Sequence, residues 1–159
     1  MRIRKLQEEL QQTRPFSSNR QEAMLALMKT ADLVRREIIT MLEPHDVTLQ
    51  QYNVLRILRG AGVKGVPTLS IAERLIEQTP GITRLLDRME RRHWVKRLRC
   101  EKDRRVVYAL ITAEGLALLG QIDPVLTSFE SGALPMLGDA EVDRLIELLD
   151  RARVRGTAS

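Results

Sequence analysis

One cysteine, Cys100, stands among 159 residues, which excludes an internal disulfide framework. Aromatic residues make up only 3% of the chain, so its core must be aliphatic. No apolar run approaches the roughly 18 residues that a membrane-spanning helix requires. The opening MRIRKLQEEL carries charge but no apolar signal-peptide core, and a cytoplasmic location is expected. Histidine is confined to His45 and His93, with no clustered carboxylates beside them, so no metal site is read and no cofactor is expected. The glycine-rich stretch GAGVKG lacks the spacing of a phosphate-binding loop. No Ser/His/Asp order or paired carboxylates can be singled out, and the chain is not expected to be an enzyme. Low-complexity segments and internal repeats are also missing.

What the chain does have is concentrated positive charge. Residues 84–105 hold ten basic and four acidic side chains, a net +6 against +5 for the whole protein. Everything outside that stretch is nearly neutral. A merely basic protein spreads its charge, whereas a surface for a polyanion gathers it. Around this stretch the apolar fraction is 43%, ordinary for a folded domain, and Leu, Ala, Glu and Arg favour helix.

Residues 1–19 read as an arm, frayed or partly helical, that alternatively touches DNA or a partner subunit. A long helix is expected from residue 19 or 20 to 42. Met24, Leu27, Met28, Ala31, Val34, Ile38, Met41 and Leu42 recur there at spacings of three and four. Ser18 or Asn19 can cap it, and Pro44 ends it. Its stripe is widened by Leu25, Leu33 and Ile39, which suggests burial against more than one surface, another subunit included. Thr48 with Gln51 has capping-box spacing and opens a second helix, with Tyr52, Val54, Leu55, Ile57 and Leu58 on its face. Gly60 and Gly62 stop it, and the linker to Pro67 has room for a short strand. A third helix is expected over residues 68–77, with Leu69, Ala72, Leu75 and Ile76 as its face and Thr68 or Ser70 as its cap.

Thr79 then reads as an N-cap, with Pro80 at the first position of a fourth helix reaching about residue 92. Ile82, Leu85, Leu86 and Met89 fall on one stripe, and Arg84, Arg88 and Arg91 on another. Two helices joined by a tight turn, the second with an apolar back and an arginine front, form a helix-turn-helix pattern. In that motif the N-terminal part of the second helix enters the DNA major groove. Arg84 and Arg88 are the candidate readers. Thr79, Gly81 and Thr83 are candidate phosphate or base-edge contacts. Arg91, farther along, is a phosphate contact or a salt-bridge partner. Trp94, Val95 and Leu98 lead into a β-like stretch, and VVYALIT is a second, with the charged tip RCEKDRR between them. A strand, a basic tip and a strand directly after a helix-turn-helix make a wing. Trp94 reads as a packing residue, and His93 as a neighbour of the DNA face that can reach phosphate. Beyond the wing, Thr112 should cap a helix to about residue 131 with Leu116, Leu119, Ile122, Leu126 and Phe129 on its face, and Pro124 can kink it. Asp139 should cap a last one with Val142, Leu145, Ile146, Leu148 and Leu149.

The order PGITRLLDRME, a β-stretch, Asp103-Arg104-Arg105, five residues, Ile111-Thr112 and then Gly115 resembles the MarR family of bacterial transcription regulators. Ile111 stands where that family usually has Leu. The resemblance covers residues 49–115 well, and the flanking helices by length and order. It implies a mainly α fold with a small β-wing, in which a winged helix-turn-helix core is flanked by N- and C-terminal dimerisation helices. In those terms residues 1–19 are the arm, 20–47 the N-terminal dimerisation helix, 48–112 the DNA-binding domain, and 113–159 the C-terminal dimerisation helices. It further implies a homodimer on double-stranded DNA. Arg105 would enter the minor groove, Asp103 would brace the wing, and Arg104 would meet phosphate. The resemblance also implies a repressor that a small aromatic or anionic ligand can release, bound near the first, second and fifth helices. The peroxide-sensing members carry their cysteine near the N-terminal helix, where none stands here. A redox role for Cys100 is therefore an alternative, as is a protein–protein adaptor that has lost DNA binding. A basic protein of membrane surfaces fits worse, because the charge alternates between a helix face and a hairpin tip.

Overall fold

The computed structural model describes residues 5–77 and 81–154. A short helix α1 (Leu6–Glu9) lies in the N-terminal arm. The long helix α2 (Asn19–Leu42) is capped by Ser18, whose hydroxyl accepts the Gln21 N–H at 3.1 Å. A 3-10 turn (Glu43–His45) follows, and Asp46 then turns the chain with a left-handed φ of 50°. Helix α3 (Leu49–Ala61) opens with the anticipated capping box, in which Thr48 and Gln51 satisfy each other's backbone N–H groups at 3.2 and 2.9 Å. The linker beyond it holds the two-residue strand β1 (Val66–Pro67).

Helix α4 (Thr68–Arg74) is shorter than its apolar residues imply. Leu75 is already extended, so Ile71 and Leu75 are the side chains that bury, while Leu69 and Ile76 stay exposed. Neither Thr68 nor Ser70 is the N-cap. Pro67 holds that position, and the Thr68 hydroxyl instead donates to the Val107 carbonyl at 3.0 Å, tying the helix to the sheet. Helix α5 (Ile82–Arg91) has Gly81 at its N-cap, and begins two residues after the expected start at Pro80. The expected cap Thr79, with Pro80, lies outside the described residues.

Strands β2 (Val95–Arg99) and β3 (Val107–Ile111) pair antiparallel, Val95 opposite Ile111 and Arg99 opposite Val107. β1 adds to the far edge of β3 and completes a three-stranded sheet in the order β1-β3-β2. The core gathers Leu42 at the end of α2, Val54, Leu55 and Leu58 of α3, and Ile71 of α4. Leu85, Leu86 and Met89 of α5 and Val66, Val95 and Ala109 of the sheet complete it, each essentially inaccessible to water. Fully burying such side chains contributes roughly 1.5–3 kcal/mol apiece, an upper figure because unfolded chains already bury part of this surface.

Helix α6 (Ala113–Gly132) is capped as expected: the Thr112 hydroxyl accepts the Gly115 N–H at 3.1 Å. The helix continues through Pro124. Gly115 is needed for space, since a Cβ there would lie 2.3 Å from the Trp94 carbonyl oxygen. The chain divides into two units, residues 1–123 and 124–159. In the second, α7 (Asp139–Arg153) begins one residue earlier than expected, so Gly138 and not Asp139 is its cap. Glu141 causes the shift, its carboxylate accepting the Gly138 N–H at 2.9 Å. Leu145 and Leu149 are half-buried on α7, whereas Ile146 and Leu148 are exposed. Among the described residues no helix is long and apolar enough to cross a membrane.

Candidate nucleic-acid interface

Helix α5 buries Ile82, Leu85, Leu86 and Met89 and turns Thr83, Arg84, Arg88 and Arg91 outward. The three arginines lie four and three residues apart, so they form one row along the helix. The Arg91 Nε donates to the Asp87 carbonyl at 3.3 Å, within its own helix. At the other end Gly81 adopts φ 89°, a left-handed value that favours glycine. Among the described residues no side chain caps that end. Such an end attracts anions through its free N–H groups and the helix dipole.

The second cluster is at the hairpin tip. Residues 100–106 close it, with Cys100 N–H donating to the Val106 carbonyl and Val106 N–H to the Asp103 carbonyl, both at 2.9 Å. Asp103 organises the turn: its Oδ1 accepts the Arg105 N–H at 3.0 Å and the Arg105 Nε at 3.1 Å, and its Oδ2 accepts Nη2 at 3.2 Å. The Arg105 side chain is nonetheless 91% exposed, and Arg104 is exposed beside it. Hydrogen bonds from the Arg105 guanidinium, and next from its N–H, hold the Asp103 carboxyl below the usual range. Cys100 is half-buried at the base of this tip, in no cluster of its own.

The two clusters are joined by a residue that charge counting assigns to the surface. Arg97, on β2, donates its main-chain N–H to Glu90 Oε1 at 3.0 Å and its Nε and Nη2 to Glu90 Oε2 at 3.0 and 2.6 Å. Its Nη2 also lies 2.7 Å from Asp87 Oδ1. The hydrogen bond to Glu90 raises the Arg97 pKa above that of a free guanidinium, burial opposes this, and the bond to Asp87 adds to it. Both acids of α5 are therefore spent on one strand arginine, and the outward row is left cationic. Arg92 is also engaged within the chain, with its guanidinium carbon 4.0 Å from the Trp94 ring centroid. Trp94 is buried, a packing residue as its sequence context implies. The Arg97 engagement is not legible from spacing, because its partners lie on a different element.

The arrangement is a helix and a hairpin tip, both cationic, with a partly exposed salt-bridge network tying the helix to β2. The MarR family model matches residues 47–107, from just before the α3 cap to the first residue of β3. The HTH-type transcriptional regulator YpoP of Bacillus subtilis is 29% identical over 125 residues, which span 79% of this chain and 86% of YpoP. A MarR transcription factor from Planctomyces limnophilus is 36% identical, with a TM-score of 0.65 over 86% of this chain and 98% of that one. A mutant MarR from Escherichia coli, solved complexed with operator DNA, is 26% identical, with a TM-score of 0.73 over 83% of this chain and 94% of that one. These relatives are regulators of transcription and not enzymes. Near-complete coverage of a 36%-identical relative, together with the wing and helix geometry above, shows that the chain belongs to the MarR family of winged-helix transcription regulators.

Proposed function

We propose that the protein is a homodimeric, sequence-specific binder of double-stranded DNA that represses transcription by covering a promoter. The observation that carries this reading is the outward row Arg84, Arg88 and Arg91 on a helix whose back is fully buried, beside a hairpin tip with Arg104 and Arg105 in solvent. The operator-bound E. coli relative supports the same use of this lobe. Arg84 and Arg88 read base edges in the major groove. Thr79, Gly81 and Thr83 approach phosphate or base edges near the N-terminus of α5, and Arg91 holds phosphate. Arg105 probes the flanking minor groove, where a narrow groove concentrates negative potential. Asp103 positions it, and Arg104 meets phosphate.

Residues 48–112 form the reading domain, and residues 20–47 and 113–159 supply the dimer. Met24, Leu27 and Met28 of α2 are about half exposed or more in the single chain, as a partner-facing stripe would be. Two-fold symmetry then sets half-sites about one helical turn apart. A small aromatic or anionic ligand releases the dimer, and the cytoplasm is its place of work.

The test is a fluorescence-anisotropy titration of operator-like and random duplexes over a salt series. Binding should weaken steeply with salt, because phosphate contacts release counterions. Arg84→Ala should narrow the gap between the two duplexes. If both affinities fall equally, Arg84 is a phosphate contact and not a base reader. Absence of salt-dependent binding to any duplex would leave an adaptor role in its place.

A further inference from the structure

Arg92 caps the C-terminal end of α5 and counts among the ten basic residues of the stretch, but its guanidinium, although 40% exposed, is engaged within the chain. Its Nη1 donates to the main-chain carbonyl of Asp46 at 2.7 Å and lies 2.8 Å from Asp46 Oδ2. Its guanidinium carbon lies over the Trp94 ring, 4.0 Å from the centroid. Asp46 is the left-handed residue that turns the chain out of the 3-10 segment after α2. Trp94 is only 8% exposed, and its backbone receives the start of α6. Thr112 N–H donates to the Trp94 carbonyl at 3.1 Å, and the Thr112 hydroxyl to the His93 carbonyl at 2.5 Å. The last turn of α5, the exit of α2 and the entry of α6 are thus fastened at one point.

We propose that Arg92 is a positioning residue for DNA recognition and not a DNA contact. It sets the tilt of α5 against the Asp46 turn, and through it the spacing and angle at which the two reading helices of a dimer meet successive major grooves. The inference rests on the function proposed above. An exposed ion pair on its own contributes little. Here the charge is only part of the contact: a planar guanidinium reaches a fixed carbonyl and a carboxylate while lying over an indole, a geometry lysine does not reproduce. A ten-residue helix is about 15 Å long, so a tilt of roughly 5° about its base moves its far end by about 1 Å. That displacement exceeds the ~0.5 Å within which a recognition group must be held. The far end is where Gly81, Thr83 and Arg84 sit.

The experiment compares wild type, Arg92→Lys, Arg92→Ala and Asp46→Asn on the duplex recovered from random-pool selection and on a random duplex, across a salt series. Asp46→Asn keeps the Arg92 charge, the carbonyl acceptor and a residue type that tolerates left-handed backbone, so the fold is retained. Thermal melts check that it is. Arg92→Lys should lose about five- to tenfold in affinity for the selected duplex, with random-duplex affinity and the salt slope unchanged. Asp46→Asn should lose affinity in the same direction, and Arg92→Ala should lose no less than the lysine variant. Wild-type affinity in Arg92→Lys overturns the proposal. So does Arg92→Ala if it weakens both duplexes equally and lowers the salt slope by about one, the signature of a lost phosphate contact. A wild type that selects no sequence removes the functional reading itself, a separate outcome seen before any variant is compared.

Discussion

Asp103 occupies three donors of one arginine at a single exposed turn, and that makes the wing tip sensitive to acid. Its carboxyl is held low, first by the Arg105 guanidinium and then by the Arg105 N–H. A carboxylate whose folded pKa is depressed contributes its stabilisation above the unfolded value, about 3.9 for aspartate, and loses it as pH falls through the lower folded value. An NMR titration of the Arg105 amide should therefore show a midpoint below the ordinary aspartate value; a midpoint at or above it contradicts the bracing geometry. Arg105→Ala should weaken binding to the selected duplex by at least about fivefold and leave the far-UV circular dichroism and the dimer intact. Unchanged affinity in a gel-shift titration would remove the wing from the interface. This residue pair is expected from the family resemblance, and its geometry is local, a carboxylate two residues before the arginine it binds. Arg97 is the opposite case. Its acceptors Asp87 and Glu90 are on another element, so nothing in the spacing separates it from the free cations of the same stretch.

At the scale of elements, the interiors of helices follow the apolar period and their ends follow tertiary contacts. The Thr48–Gln51 box is a local motif, and it stands as its spacing implies. Thr48→Ala should cost about 1 kcal/mol in a urea-unfolding measurement, with the slope against denaturant unchanged. A loss below a few tenths of that would mean that the cap adds nothing to α3. Helix α4 ends early because burial selects Ile71 and Leu75 and not the apolar residues around them. Its Thr68 hydroxyl is drawn to the Val107 carbonyl, a partner thirty-nine residues away that no capping rule anticipates. α7 starts at Asp139 because Glu141 reaches back to a glycine N–H, a competition between two acids two residues apart. The wing is legible as two β-forming stretches around a charged tip. The register that places Arg97 over α5 is not, because the alternation of β2 is broken by basic residues on both faces.

For the whole molecule, the question is what covers the apolar helices. Met24 is 56% and Met28 63% exposed on α2, and Ile146 is 53% exposed on α7. Each unit folds with these side chains in water, and the period that places them on one stripe is plain in the sequence. Their partner is not, because a stripe without a mate reads the same as a buried one. Sedimentation should give a dimer, and Leu27→Glu with Met28→Glu should shift it toward monomer and abolish high-affinity binding, since each half-site alone loses the linked second contact. A variant that stays dimeric would place the interface elsewhere. The central claim, a dimer that reads sequence, is tested most directly by selecting bound duplexes from a random pool at physiological salt. The account predicts enrichment of a pseudo-palindrome whose half-sites lie about 10 base pairs apart centre to centre. A pool that remains random after repeated rounds, or one enriched in a single isolated half-site, would contradict it.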